Sequence, residues 1–532
     1  MGKRSALHLI PIFAVILLCA PFPGIGQEAV PGQPKLGGTL RIKPFSRILR
    51  PELDPANYSV YFLLEQLYDG LVRLDNNYNI VPSLAEYWVI SGEGRICTFT
   101  LRKGVRFHHG REVTADDVKF SLERLLRKET GVFLAPYFLS KVVGAEAFWA
   151  GKAAEVTGFR ARDRYTFEIE WKDPYVSGLY LLSMFFCKVL PRDLVQSEGK
   201  SFFRKPSGTG AFRFGNYIRD SQLDIVGVRL ERNPDYFGEV PYVDAVEYST
   251  LFTVDQFVHG EVDIVPLLSE DLALGRYQVL ENNSLEIFFL GMSCQIPPLD
   301  RKEVRRALAF ALDKTRLAQA GYSAATIPQI VHNYIPPDLP GFFPQEGLER
   351  PNLERARALL AEAGFPGGKG FPELSLCFLL PRNRLDSRFY QELRSQLAAL
   401  GIKLEIRYIR TLDDLRAYAK PRLSVIDWRM DFPDAENIVQ PLFASTAAVN
   451  LAFMGYSNRT LDGFLAASEI EAGWEKRTGL FRRIEGILFE DVPAVPLFQF
   501  RFRMALQPYV RGAAAPLLAF RFLDVREIWI DR

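Results

Sequence analysis

The sequence predicts an α/β protein with a parallel sheet and more than one hydrophobic core. Three observations carry that expectation. Strand and helix patterns alternate from Leu374 to Asp431. The chain is 532 residues long, more than one core usually serves. Its composition, 48% hydrophobic and 13% aromatic, is that of a well-packed globular protein.

The elements of the alternating stretch follow from their periodicities. Residues 374–380 are strand-like. Residues 387–400 place Phe389, Tyr390, Leu393, Leu397 and Leu400 on one helical stripe, with Gly401 as a stop. Residues 402–408 alternate Ile, Leu, Ile and Tyr with Lys, Glu and Arg, a period-two strand. Residues 412–419 suit a short helix. Leu423, Val425 and Ile426 then lead through Trp428 to Asp431 and a Phe-Pro-Asp turn, a buried strand meeting a loop. Strand–helix–strand–helix–strand implies parallel strands with right-handed crossovers. Ligands of such sheets sit outside the carboxyl ends of the strands. Asp431 follows one such end, and Arg382 and Arg384 follow another. An acid and two bases on one edge suit a ligand that carries both charges.

Residues 1–26 are expected to be an export signal. Lys3 and Arg4 precede an apolar run from Leu7 to Ala20, and Gly24-Ile25-Gly26 offers small residues for cleavage. The run is short for a membrane span, and no later segment is long enough either. Cys19 raises the alternative of a lipoprotein, but Leu18 stands where a small residue is normal, so a free periplasmic protein is expected. Loss of the signal removes Lys3 and Arg4, leaving 63 of the 65 Lys and Arg against 63 Asp and Glu. That balance argues against nucleic acid or an anionic membrane as partner. Cys97, Cys187, Cys294 and Cys377 are widely spaced with no CxxC, so zinc and redox motifs are absent, and either disulfides or buried thiols are open.

From Gly37 a strand-like segment leads to Leu53-Asp54-Pro55-Ala56-Asn57-Tyr58-Ser59 and a helix bearing Leu63, Leu64, Leu67, Tyr68 and Leu71. Then come Tyr-Asp-Gly-Leu-Val from Tyr68, Pro-Ser-Leu-Ala-Glu-Tyr-Trp ending at Trp88, and the run from Cys97 to Gly110. Thr114 to Ser121, Pro206 to Phe214, Gly260 to Ile264 and Pro298 to Lys314 continue the series. In this order the segments resemble the extracellular solute-binding protein family 5, the peptide- and nickel-binding components of ABC transporters. The resemblance covers about residues 37–510.

That resemblance implies a two-lobed periplasmic binding protein of type II, in the larger class with an extra subdomain and a cleft between the lobes. The first lobe is expected at 37–283 plus 497–532, with the extra subdomain at about 85–205. The second is expected at 284–495, and 492–498 would be the return crossing. The implied function is capture of short peptides by hinge closure and delivery to permease subunits, by a monomer without cofactor or metal. Trp428, Asp431, Phe432, Pro433 and Asp434 resemble the motif that holds a peptide amino group. Arg382 or Arg384 matches an arginine for the carboxylate, suited to bidentate recognition. Asn57, Tyr58 and Ser59 lie where the first lobe approaches ligand, and Ser293 stands near the family's Phe-Asn pair. Met430 occupies a position that is usually small, so it would reshape the pocket. Residue by residue, the alternatives remain open. Asp431 also suits a surface turn or helix cap, Trp428 plain core, and the arginines a solvated loop.

Other functions find little support. There is no H-E-x-x-H, no G-x-S-x-G and no Walker loop. Ser197-Glu198-Gly199-Lys200 has the S-x-x-K spacing without its companion motifs, and Gly208-Thr209-Gly210 is too short to cradle phosphates. His108 and His109 are adjacent and would point to opposite faces of a strand. No catalytic residue is therefore assigned. The rivals are a non-peptide solute (sugar, opine, haem or other small molecule) and an exported hydrolase.

Overall fold

The computed structural model describes residues 33–45, 52–56, 61–131, 141–267, 275–320, 326–337, 339, 341–344, 350–379, 387–515 and 523–532. The expected signal segment lies outside them.

One mixed eleven-stranded sheet runs through the molecule. At one end Leu404–Ile409, Leu374–Leu379 and Arg422–Arg429 lie parallel, in that spatial order. This is the predicted strand–helix–strand–helix–strand unit, with helices Ser387–Ala398 and Leu412–Ala417 between its strands. Burial explains it. Phe389, Leu393 and Leu397 are fully buried, and Leu376 and Leu423 lie under them in the same core.

Next to Arg422–Arg429 comes the longest strand, Gln278–Met292, antiparallel to it. It pairs along most of its length with Ala494–Leu506. The pairing is interrupted where Asn283 faces Arg501 and Ile287 faces Gln499, so Ser284, Leu285 and Glu286 bulge out of register. Beyond that pair the sheet continues through Ile264–Pro266, Thr39–Ile42, Ala245–Ser249, Ile225–Arg232 and Phe212–Arg219.

Among the described residues three large hydrophobic cores form, two of them on this sheet. One gathers Leu40, Leu64, Phe212 and Val246 with Leu523 and Val525 from the chain's end. A second, built on a separate four-stranded sheet, holds Phe99, Val118, Phe159, Phe167 and Trp171. The third surrounds Phe289, Leu308, Leu376, Ile438 and Phe498.

Thr114 caps the helix Ala115–Leu125 in a capping box with Asp117, as the spacing predicts. Asp300 and Glu303 also have the spacing of a capping box, but that box does not form. Helix Lys302–Ala311 begins after Arg301 with no side-chain cap. Arg305 takes over that entry: its buried guanidinium donates to the carbonyls of Leu299 and Asp300 and also to those of Asp491 and Val492. The Gly-Thr-Gly segment is packed close rather than open. A Cβ on Gly208 would fall 1.9 Å from the Leu67 carbonyl oxygen, and one on Gly210 2.2 Å from that of Gln66. All four described cysteines are free thiols.

Candidate functional site

The carboxyl end of Arg422–Arg429 leads directly into the loop of interest. Trp428 lies opposite Ile287, and its indole N–H donates to the Asn437 carbonyl at 2.5 Å. Arg429 turns to the fully buried Glu286 in the bulge, at 2.9 Å. The Met430 N–H donates to the Leu285 carbonyl. The strand end is thus tied to the bulge of its neighbour before the chain leaves the sheet.

Asp431 comes next, and Asn437 organises it. The Asn437 side-chain oxygen accepts the Asp431 backbone N–H at 2.8 Å. Asn437 sits in the first turn of helix Glu436–Phe443 and is 1% exposed. Because its oxygen accepts that N–H, its Nδ2 is the remaining donor of the amide. That Nδ2 has no hydrogen-bond partner, and neither has Asp431 Oδ2 or Gln440 Oε1, although all three are shut from water. Buried polar atoms are ordinarily paired. Here two acceptors and one donor stand open on a single loop and helix. Burial pushes the Asp431 carboxyl up from 3.8 to about 7, with Arg429 pulling in the opposite direction. Such a site can accept a cationic N–H at Asp431 and donate to a carbonyl from Asn437.

The other expected site residues fall in three groups. Trp428, at the strand's end, and Asp431, in the loop, both bond to Asn437, the one through its carbonyl and the other through its side-chain oxygen. Met430 is fully buried in the third core, so its side chain fills that core instead of reshaping a pocket. The Ser293 hydroxyl is spent on the Arg422 backbone N–H at 3.0 Å and is buried, which makes it part of the strand's support. Asn57, Tyr58, Ser59, Arg382 and Arg384 lie outside the described residues. Sequence reasoning missed Asn437. It closes the same stretch that singled out Asp431, but a helix-start Asn reads as a cap. Its use as a clip on the carboxylate's backbone is visible only in three dimensions.

A polar cavity of about 1000 Å³ opens elsewhere. Arg102, Lys103, Arg106, His108 and Arg213 line it, with none of residues 428–437. Burial lowers His108 to about 4, and its Nε2 pairs with the Gly210 carbonyl. Among the described residues no group of His, Cys, Asp or Glu is placed to hold a metal ion, and no helix is long and apolar enough to cross a membrane.

A sheet continuous through separate cores, with open polar groups at the carboxyl end of one strand, defines a two-lobed α/β binding protein of the periplasmic type. The model of the bacterial extracellular solute-binding proteins, family 5, matches residues 79–450, and the chain belongs to that family. The dipeptide-binding protein of Escherichia coli is 25% identical over 460 residues, covering 81% of this chain and 83% of that protein. A probable di/tripeptide-binding protein of Pseudomonas aeruginosa is 28% identical over 469 residues, covering 81% and 84%. Among solved structures, a Helicobacter pylori periplasmic binding protein in complex with the peptide STSA superposes with a TM-score of 0.74 at 22% identity, covering 94% of this chain and 99% of that one.

Proposed function

We propose that this chain is the exported binding component of an ABC importer and captures short peptides between its two lobes. The observation that carries the reading is the open pair at the loop: Asp431 Oδ2 as acceptor and Asn437 Nδ2 as donor, both buried and unpartnered. A peptide amino terminus presents the complementary pair, an ammonium followed within a few atoms by a carbonyl. The names of the relatives, dipeptide- and di/tripeptide-binding proteins, support the same class.

On this reading the lobes are 37–283 plus 497–532, with the subdomain at about 85–205, and 284–495. The hinge is the pair of crossing strands at their bulge. Ligand touches both lobes only when they close, and shifts the population by its differential affinity for the closed state. Arg382 or Arg384 supplies the cation for the carboxylate end, and Asn57, Tyr58 and Ser59 the first lobe's contacts. The permease then receives the ligand intact. On this reading the chain binds and releases its ligand without hydrolysing it. The protein works as a periplasmic monomer after cleavage near Gly26.

Native mass spectrometry of the purified protein is the test. Release of di- or tripeptides on denaturation is the expected result. A co-purified sugar, haem or other non-peptide solute would overturn the peptide assignment, and recovery of cleaved peptide after long incubation would overturn the non-enzymatic one.

A further inference from the structure

The loop carrying Asp431 is gripped on its far side by the subdomain. Phe432 is fully buried in the second core, although its neighbours in sequence belong to the third. Its ring stacks on Tyr180 at 6.2 Å with an 11° interplanar angle. Two residues on, Asp434 receives a bidentate pair from Arg477 at 2.6 and 2.9 Å. Arg477 also reaches the Ser177 hydroxyl at 3.2 Å. Ser177, fully buried, donates to Glu436 Oε2 at 2.7 Å. Lys141 bridges Glu436 at 3.4 Å and Glu469 at 2.9 Å, and the Val176 N–H donates to the Glu469 carbonyl. Lys141, Val176, Ser177 and Tyr180 come from the subdomain's segment. Phe432, Asp434, Glu436, Glu469 and Arg477 come from the stretch assigned to the second lobe.

We propose that Lys141, Ser177 and Tyr180 form a clasp that positions the Asp431 loop when the lobes close, giving the subdomain a direct part in ligand affinity. This rests on the hinge-closure reading. The chain passes between the lobes only in the crossing strands, so contacts of this kind are made on closing and broken on opening. The clasp grips residues 432–436, which lie between Asp431 and Asn437. Closing it therefore fixes the spacing of the open acceptor and donor. Opening breaks the Lys141 pairs with Glu436 and Glu469 and returns those charges to water, while the Asp434–Arg477 pair stays within one lobe. The charged part alone accordingly sits near balance. The directed Ser177 hydrogen bond and the Phe432–Tyr180 contact tip it toward closure.

The Ser177→Ala variant of the full mature protein tests this, with Ala-Ala and Ala-Ala-Ala as probes in calorimetry and stopped-flow fluorescence. The expected result is a Kd raised about tenfold, the size of a lost hydrogen bond to a charged group. The increase lies in the dissociation rate, with the melting temperature of the empty protein unchanged. Tyr180→Leu, which keeps apolar bulk but removes the ring, raises dissociation in the same direction. An unchanged Kd, or equal loss of melting temperature with and without peptide, overturns the clasp and makes the contact permanent packing. If the wild type binds neither peptide, the ligand assignment fails separately, and small-angle scattering of the proteins as purified decides the clasp. A larger radius of gyration for Ser177→Ala supports it, and identical radii overturn it.

Discussion

At the scale of single residues, Asp431 has the clearest consequences. Its carboxyl is raised to about 7 by burial, so the empty site is largely protonated under mildly acidic conditions. An ammonium ligand needs the carboxylate, and binding below pH 7 releases a proton. Affinity for dipeptide should rise with pH from 5 to about 7 and then level off, with proton release visible in calorimetry across buffers of different ionisation enthalpy. The effect on stability has the opposite sense. The folded value lies above the ordinary 3.8, so the folded state holds the proton more tightly, and stability falls as pH rises through that window. Empty Asp431→Asn should therefore melt higher than wild type at pH 8, with the gap closing toward pH 4, while its peptide affinity drops about a hundredfold or more. Asn437→Ala removes the acceptor for the Asp431 N–H. It should weaken dipeptide binding about tenfold and destabilise the fold by about 1–3 kcal/mol, as measured by urea unfolding, since a shielded N–H loses its partner.

Among the elements, the junction before the return strand stands out. Val492 closes helix Trp474–Asp491 in the left-handed region at φ 45°, which is strained for a β-branched side chain. Arg305 holds that turn by donating to the Asp491 and Val492 carbonyls, while the same guanidinium sets the start of its own helix. Arg305→Met should cost about 3 kcal/mol or more in urea unfolding, because several carbonyls lose their donor at once. The parallel unit was legible because its burial is local: each helix hides its own stripe against the strand beside it. Asp300 misled for the opposite reason. Its capping spacing is a local signal, and a guanidinium with partners some 190 residues away in sequence overrides it. The clip made by Asn437 and the contacts of Ser177 and Lys141 were illegible on the same ground, since nothing in the spacing of Ser177 marks Glu436 as its partner.

For the whole molecule, the order of family segments conveyed the two-lobed class, whereas the unbroken sheet that joins two of the cores was not expected. Ligand binding should raise the stability of the protein by about 2.7 kcal/mol at a hundredfold excess over Kd. That gain should be read as a higher melting temperature, together with a smaller radius of gyration in small-angle scattering. A ligand that stabilised the protein without compacting it would speak against closure. The strands Gln278–Met292 and Ala494–Leu506 stay hydrogen-bonded on both sides of the bulge at Ser284 to Glu286. Two ribbons zipped together at both ends can wind and unwind about their common axis, but they cannot slide past each other. The protein should therefore behave as a torsion bar, whose stiffness, set at three residues out of register with the return strand, decides how readily the jaws reopen to release their cargo.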